Sequence, residues 1–403
     1  MIASLALLIS ATAAVAAGFP TPAETQFGLV QARQAPTTAH AVPTSIPTGD
    51  FTTTNYIIID GVTNSHVTLP AQTIELVLPT CIQTITPDQN GYVPPGTCGA
   101  IWAYYPSFVV AVVFSCLFGV LLLLHTWQAI KYKNKWCWVI IMATLWETLA
   151  FTFRAISAKN QQSDGIYLVF QIFILLAPLW INAFAYMTLG RMIYFFHPSR
   201  SLFRVPATTM AAVFVLLDVC SFVIQLIGGG MASPSATPQD LERGLNIYMG
   251  GIGLQQFFIV VFSLLCIAFQ SQMLSRSPGK IQAWGFVGTS WGPLLCVLYL
   301  SLVFVSIRVI YRLVEFSGGL EHDSPLNTQE AYFYVLEAGP MFLAIAGFNI
   351  VHPGRVITGP NAEMPGFIVY IKNFMHRRKG RESLEGDSSD GQQLMLKTAR
   401  VSM

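Results

Sequence analysis

The sequence predicts an all-α membrane protein, a seven-transmembrane helix bundle in an N-out/C-in orientation with a small extracellular N-terminal segment. Composition is the first reason: only 10% of the 403 residues are charged and 53% are hydrophobic, whereas soluble domains carry about 25% charged residues. The second reason is a series of seven apolar stretches, each long enough to cross a bilayer as a helix. They lie at about 106–125, 137–154, 166–190, 205–227, 245–269, 285–307 and 331–351.

The distribution of basic residues sets the predicted orientation. With the N-terminus outside, the inner loops receive eight lysines and arginines and the tail from Arg355 onward receives eight more, together 16 of the 22. The positive-inside rule therefore places the N-terminus outside and the C-terminus inside. The net charge is only +2, so we expect no nucleic-acid partner.

The first 17 residues have the pattern of a secretory signal peptide. An apolar run begins at Leu5 and is followed by the small residues Ala14, Ala16 and Ala17, which is typical of a cleavage site. The alternative is a poorly ordered apolar tail. Removal of residues 1–17 agrees with an outer N-terminus.

Residues 18–103 are predicted to form an extracellular stalk and a small disulfide-linked module. The stalk is rich in Pro, Thr and Ala, whereas the β-branched runs that begin at Asn55 flank Asp60-Gly61 and Thr63-Asn64 and predict a hairpin. Cys81 and Cys98 are the two cysteines outside apolar stretches. Because the secretory route is oxidising, we expect them to form one disulfide.

Residues 104–354 are assigned to the seven-transmembrane domain, and residues 355–403 to a cytosolic, basic and disordered tail. Apolar residues at Phe367 and Phe374 share one helical face in this tail, which suits a helix lying on the inner leaflet. The predicted partner of the adjacent basic residues is anionic inner-leaflet lipid; these residues are Arg377, Arg378, Lys379 and Arg381. The alternative is an ordinary basic flank that only sets topology.

Polar residues inside the apolar spans are the candidate substrate-binding site. A charge in hydrocarbon costs about 2.5–3.5 kcal/mol and therefore needs a partner or water. Several of these residues stand seven apart, nearly two helical turns, so the two members of a pair share one helix face. The candidates are Glu147, Arg154, Gln171, Asp218, Gln225, Arg308, Arg312, Glu315, Glu330 and Glu337. Arg312 can also pair with Glu315 at a spacing of three.

The depth of these residues predicts a partly hydrated cavity that opens outward, because most of them fall at the middle or in the outer half of their spans. The arginines Arg308 and Arg312 suit a phosphate or carboxylate headgroup, whereas a cationic amphiphile favours Glu147, Asp218 or Glu337. The alternative is a set of interhelical hydrogen bonds that only hold the bundle together, each worth about 0.6 kcal/mol.

Catalytic motifs are scarce, so an enzyme is not predicted. The sequence contains no Walker loop and no HExxH or Cys-x-x-Cys motif. His125, His197 and His352 fall near inner helix ends, and three histidines at one depth leave a zinc hydrolase as a minor alternative. The leading prediction includes neither a metal nor another cofactor.

Seven segments between residues 104 and 355 resemble, in order, the successive signatures of the fungal RTA-like (resistance to aminocholesterol) family of seven-span proteins. They are YYPSFVVAVVF, the Glu147…Arg154 pair, QIFILLAPLWINAFAYMTLGR, LLDVCSFVIQLIGGG, RVIYRLVEFSGG, EAYFYVLEAGPM and VHPGR. The resemblance implies a lipid-translocating exporter linked to resistance against toxic amphiphiles such as aminosterols and to sphingoid base release. We expect an integral, multi-pass protein of the plasma membrane. Some members of the family are tied to haem or porphyrin traffic.

The chain departs from the family pattern in three places. Ala150 and Phe151 stand where the family usually has Gly-Tyr, and Glu337 stands where it usually has Asp. The outer segment 18–103 is also long for the family. This segment leaves a second hypothesis open, a seven-span receptor or sensor with an extracellular ligand-binding segment.

Overall fold

The computed structural model describes residues 51–59, 62–64, 67–69, 72–81, 85–95, 97, 99–232, 238–276, 289–317, 325–359 and 364. Three predicted features lie outside this part of the chain: the signal peptide, the basic cluster of the tail, and the disulfide, because Cys98 is not among the described residues.

Four strands precede the helices. The longest two, β1 (Phe51–Ile59) and β4 (Gln72–Cys81), pair antiparallel, with Ile59 opposite Gln72. Between them, β2 (Val62–Asn64) and β3 (Val67–Leu69) pair in the same way. The antiparallel pairing confirms the predicted hairpin, and the pairing of Asn64 with Val67 agrees with the second of the two expected turn positions, Thr63-Asn64.

Seven helices are long and apolar enough to span a membrane, which confirms the predicted number within the described residues. The first six are α1 (Phe108–Tyr132), α2 (Trp138–Lys159), α3 (Asp164–Phe196), α4 (Ala207–Met231), α5 (Pro238–Ser275) and α6 (Gly292–Ser317). The seventh, α7, consists of Glu330–Phe333, the π-helical segment Tyr334–Ala338, and Gly339–Ile350.

Several helices extend beyond the predicted apolar windows. The window 285–307 predicted the sixth span, whereas α6 runs from Gly292 to Ser317 and includes Arg308 and Arg312. An apolar window reports only the part of a helix that hydrocarbon favours. The helix itself continues past that part. Arg308 and Arg312 can lie on it because their side chains bond to Glu337 inside the bundle.

The polar and apolar faces are arranged as a multi-pass membrane protein requires. Large apolar side chains face outward, with Leu123 70% and Ile350 73% exposed. The charged side chains that lie inside are Glu147, Arg154, Asp218, Arg308, Arg312 and Glu337. Hydrocarbon would cover the apolar surface without cost. Stacked rings such as Phe118 and Phe151, with centroids 5.4 Å apart, form much of the core.

Glycines bring α4 and α5 into close contact. A Cβ on Gly228 would collide with the backbone of Tyr248, and one on Gly244 would lie 2.8 Å from the Gly228 carbonyl oxygen. Small residues at such points let helix backbones approach directly. By contrast, Gly250 and Gly253 face open space.

The π-helical segment of α7 lies directly before a proline. Proline has no N–H to donate and its ring displaces the preceding turn, and here Pro340 follows Gly339, whose N–H donates to the Tyr334 carbonyl. Such π-bulges often occur at functional sites. This one holds Tyr334 and Glu337, both of which contact arginines from other helices.

Candidate functional site

A single carboxylate joins two arginines at the centre of the polar region. Glu337 accepts a 2.7 Å hydrogen bond from Nε of Arg308 and a 2.8 Å bond from Nε of Arg312. All three side chains are buried. Arg308 also donates to the Ile174 carbonyl of α3 at 2.9 Å, so this group ties α3, α6 and α7 together.

Glu315 completes the charge balance around Arg312. It accepts from Nη1 of Arg312 at 3.0 Å, which confirms the pair predicted from their spacing, and from the Tyr311 hydroxyl at 3.2 Å. The second terminal nitrogen of Arg312, Nη2, is buried and has no hydrogen-bond partner. Arg312 therefore retains a free donor.

A second ion pair is formed by Arg154 and Glu330. Nη2 of Arg154 lies 2.8 Å from Oε1 of Glu330, while the hydroxyls of Tyr104 and Tyr334 accept from the same guanidinium at 2.9 and 3.1 Å. Trp102 and Phe333 lie against it, with ring centroids 4.8 and 4.0 Å from Cζ. Such aromatic faces stabilise a desolvated cation.

The two ion-pair groups are neighbours. The ring of Phe333 also faces Arg312, at 5.9 Å from its Cζ. We name Arg154, Arg308, Arg312, Glu315, Glu330 and Glu337 the ion-pair cluster. The cluster is built by α2, α6 and α7, so the sequence prediction that polar residues of separate spans meet is correct for these six.

Glu147 stands apart from the ion pairs although it shares their surroundings. It is fully buried and lies within electrostatic range of Arg308, Arg312 and Glu337, yet neither of its carboxylate oxygens has a hydrogen-bond partner. It is the one candidate carboxylate whose two oxygens both lack a partner in the described structure.

Asp218 belongs to a separate group. Its Oδ2 accepts from Nδ2 of Asn182 at 3.0 Å and from the Tyr186 hydroxyl at 2.9 Å. Neither α3 residue was predicted as part of the site, although their spacing of four places both on one helix face and could have indicated it. This triad joins α3 to α4.

The two predicted glutamines have different surroundings. Gln225 of α4 donates to Oε1 of Gln255 of α5 at 3.0 Å, and both are buried. Gln171 donates to the Tyr167 hydroxyl one turn before it on α3 at 2.7 Å, and the Tyr167 ring packs against Trp102, with centroids 5.0 Å apart. The structure therefore gives Gln171 a local partner and no contact with the other candidates.

The cavity among these residues is small. It measures about 10 Å³, enough for about one water molecule. Its polar lining comes from Gln225, Tyr248, Gln255, Arg308 and Arg312. The prediction of an open, hydrated cavity is therefore wrong for the conformation described, because ion pairs fill the space where the charged side chains meet.

The three histidines of the zinc alternative do not converge. His197 contacts Gln272 and Ser199 beyond the end of α3, whereas His125 of α1 contacts Ile345 of α7 and His352, just after α7, contacts Tyr132 of α1. Among the described residues, no group of three or more His, Cys, Asp or Glu side chains could hold a metal ion.

Comparison with known proteins identifies the family. The profile described as RTA1 like protein matches residues 140–360. A probable lipid transporter atnI of Emericella nidulans is 43% identical over 300 residues, 72% of this chain and 77% of the relative. A lipid-translocating exporter-like protein RTA1 of Leptosphaeria maculans is 27% identical over 76% of this chain and 59% of its own length.

A more distant relative, the sphingoid long-chain base transporter RSB1 of Saccharomyces cerevisiae, is 24% identical over 64% of this chain and 75% of its own length. No solved structure matches the chain. The family profile covers more than half of the 403 residues and overlaps most of the segments that carried the resemblance. The chain therefore belongs to the RTA1-like protein family.

Proposed function

We propose that this protein translocates lipids or amphiphiles across a membrane and thereby confers resistance to toxic amphiphiles. The observation that carries the proposal is a buried ion-pair cluster, built by three membrane-spanning helices, beside a polar cavity. Charges are costly at this depth, and membrane proteins commonly keep them on substrate pathways. The names of three relatives, which are transporters or exporters of lipids, support the same function.

The polar headgroup would bind at the cavity between α4, α5 and α6. Arg312 lines this cavity and holds a free Nη2 donor, which suits a headgroup oxygen. Glu147, whose oxygens have no partner, would supply the counter-charge for an ammonium group as the helices rearrange. A sphingoid base, with one amine and neighbouring hydroxyls, matches both functions.

The remaining candidates would support this site rather than contact the headgroup first. Glu337 and Glu315 hold the arginines, and the Arg154–Glu330 pair closes the bundle beside them. Asp218 joins neighbouring helices. Gln171, which bonds only within its helix among the contacts of the described structure, would take no part in binding.

The same proposal includes an orientation and a location. The positive-inside distribution supports an outer N-terminus and an inner tail. In this orientation, residues 1–17 would be the signal peptide, and residues 18–103 an extracellular segment with a disulfide between Cys81 and Cys98. The basic residues Arg377–Arg381 would hold this tail to anionic lipid, at the plasma membrane. The names of the relatives favour transport over the receptor alternative.

Flux into reconstituted vesicles tests the function. We expect vesicles containing the wild-type protein to exchange a labelled sphingoid base faster than protein-free vesicles. Replacing Gln225 and Gln255 together by Leu removes a bonded pair without leaving either amide unpaired, and we expect at least tenfold slower flux. Gln171→Leu is the matched control and should retain flux. Wild-type flux equal to that of empty vesicles, for every lipid of a panel, would refute the function.

A further inference from the structure

A second polar group lies at the opposite end of α7, outside the candidate site. α1 and α7 run in parallel: the Ser107 N–H before α1 donates to Glu330 at the start of α7, and Nε2 of Gln128 near the end of α1 donates to the Asn349 carbonyl at 2.9 Å. We name His125, Gln128, Asn349 and His352 the amide–histidine cluster.

The hydrogen bonds of this cluster fix the roles of the ring nitrogens. A carbonyl can only accept, so Nε2 of His125, 3.3 Å from the Ile345 carbonyl, is the donor and Nδ1 is a free acceptor. Nδ1 of His352 accepts from the Gly354 N–H at 3.1 Å, so the neutral ring carries its proton on Nε2. The two histidines are in electrostatic contact.

Among the described residues, five polar atoms of this cluster are buried without a hydrogen-bond partner. They are Nδ1 of His125, Oε1 of Gln128, Nδ2 and Oδ1 of Asn349, and Nε2 of His352. They include both donors and acceptors, so water or a hydroxylated headgroup could satisfy all of them at once. Buried polar groups are normally paired, and such a concentration of exceptions requires an explanation.

The neighbouring contact between α1 and α2 provides a comparison within the same helix. There the Ser115 hydroxyl lies 2.8 Å from that of Thr152, and Thr152 and Thr148 donate to carbonyls one turn earlier in α2. These hydroxyls are satisfied in the conformation described. Polar atoms left without partners therefore mark the α1–α7 contact and not the α1–α2 contact.

We propose that the α1–α7 contact is a gate on the path of the translocated headgroup, and that the amide–histidine cluster lines this path when the gate is open. The inference rests on the proposed function. Separation of α1 from α7 would let water or the headgroup satisfy the five atoms, which lowers the cost of the open conformation relative to an apolar contact. Alternating access of this kind needs a contact that opens at one end while the other end stays closed.

A reversible cross-link tests the gate. In a background that lacks the five bundle cysteines, Gln128→Cys and Asn349→Cys are combined and oxidised with copper phenanthroline. Because both residues line the proposed path, the reference is this double variant before oxidation: we expect oxidation to reduce its sphingoid base flux at least tenfold and a reductant to restore its own unoxidised rate. The control is the oxidised Ser115→Cys/Thr152→Cys pair, which should retain flux. Unchanged flux through a fully cross-linked 128–349 pair would overturn the gate.

A second measurement does not depend on flux. Asn349→Cys alone, in the same background, is treated with a water-soluble maleimide with and without added sphinganine. We expect alkylation, and a change in its rate of at least threefold when sphinganine is present. No alkylation under either condition would overturn the gate. If the double variant forms no cross-link, the alkylation result alone tests the gate. Absence of flux in the background protein that lacks the five bundle cysteines, together with the expected alkylation, would instead refute the proposed transport.

Discussion

The two ends of α7 differ in how their polar groups are satisfied. At its start, Glu330 and Glu337 each pair with arginines from other helices at 2.7–2.8 Å. At its end, about 18 Å farther along the axis from Glu337 at 1.5 Å per residue, the amide of Asn349 has two unpartnered atoms and His352 has one. The same helix therefore carries paired charges at one end and unpaired neutral groups at the other.

This difference indicates which end can open at lower cost. Breaking a buried ion pair leaves an uncompensated charge, which costs about 3–5 kcal/mol. The amide–histidine cluster has little bonding to lose: among its described contacts, separation would break the Gln128 and His125 hydrogen bonds to backbone carbonyls and the stacking of His352 on Tyr132. We therefore expect the ion-pair cluster to hold the fold and the other end to move.

The largest expected effect is that of Glu337→Leu. This change leaves Arg308 and Arg312 without their shared partner, so we expect a loss of about 3–5 kcal/mol of unfolding free energy. Thermal unfolding in detergent measures it. Glu337→Asp keeps the charge and should recover part of the loss; a leucine variant as stable as the wild type would show that the pair is not needed for folding.

The second effect concerns Arg154 at the same end. Arg154→Met removes the charge that Glu330, Tyr104 and Tyr334 surround, and we expect destabilisation by about 2 kcal/mol in the same unfolding assay. The matched control is Arg243→Met, because Arg243 is exposed and lies 3.7 Å from Asp240. That change should stay within about 0.5 kcal/mol. Equal effects of the two substitutions would contradict the comparison.

At the opposite end of α7, we expect a substitution to raise the unfolding free energy rather than lower it. Asn349→Leu replaces two unpartnered polar atoms by apolar ones, so we expect a gain of about 1 kcal/mol in stability. If the end opens during transport, the same variant should slow flux because the leucine disfavours water. Unfolding and flux are measured on one preparation. Destabilisation similar to that of Glu337→Leu would erase the contrast between the two ends.

The smallest effect concerns His197, which lies outside the spans. Burial, together with the nearby Arg276, holds the pKa of His197 below its ordinary value, so the unfolded chain binds the proton first as pH falls. The stability that this histidine contributes is present above about pH 6.5 and is lost on acidification. Replacing it by Gln should reduce the fall in Tm between pH 7.5 and 5.5 by about 1 °C. An unchanged pH dependence would contradict this.

Much of the site could be predicted from sequence because charges in apolar spans are conspicuous. Glu147, Arg154, Arg308 and Glu337 all lie inside the bundle as expected. Asn182 and Tyr186 were missed because neutral polar residues are common in spans and carry no comparable signal. In the amide–histidine cluster, His125 and His352 were named only as candidates for a zinc site, and Gln128 and Asn349 were missed. These two come from helices more than 200 residues apart, and nothing in either segment indicates the other.

The sequence by itself determined the seven spans, the family and which charged side chains must avoid lipid, because these depend on composition, length and spacing along one chain. Only the tertiary structure decided the partners. Helical spacing places Glu147 and Arg154 on one face. The packing of α6 against α7 sets the bonding: Arg308 and Arg312 both donate to Glu337, and Glu147 has no hydrogen bond in the described structure. The same packing closes the space among them to about 10 Å³, since side-chain volume and contact across helices cannot be read from either helix alone.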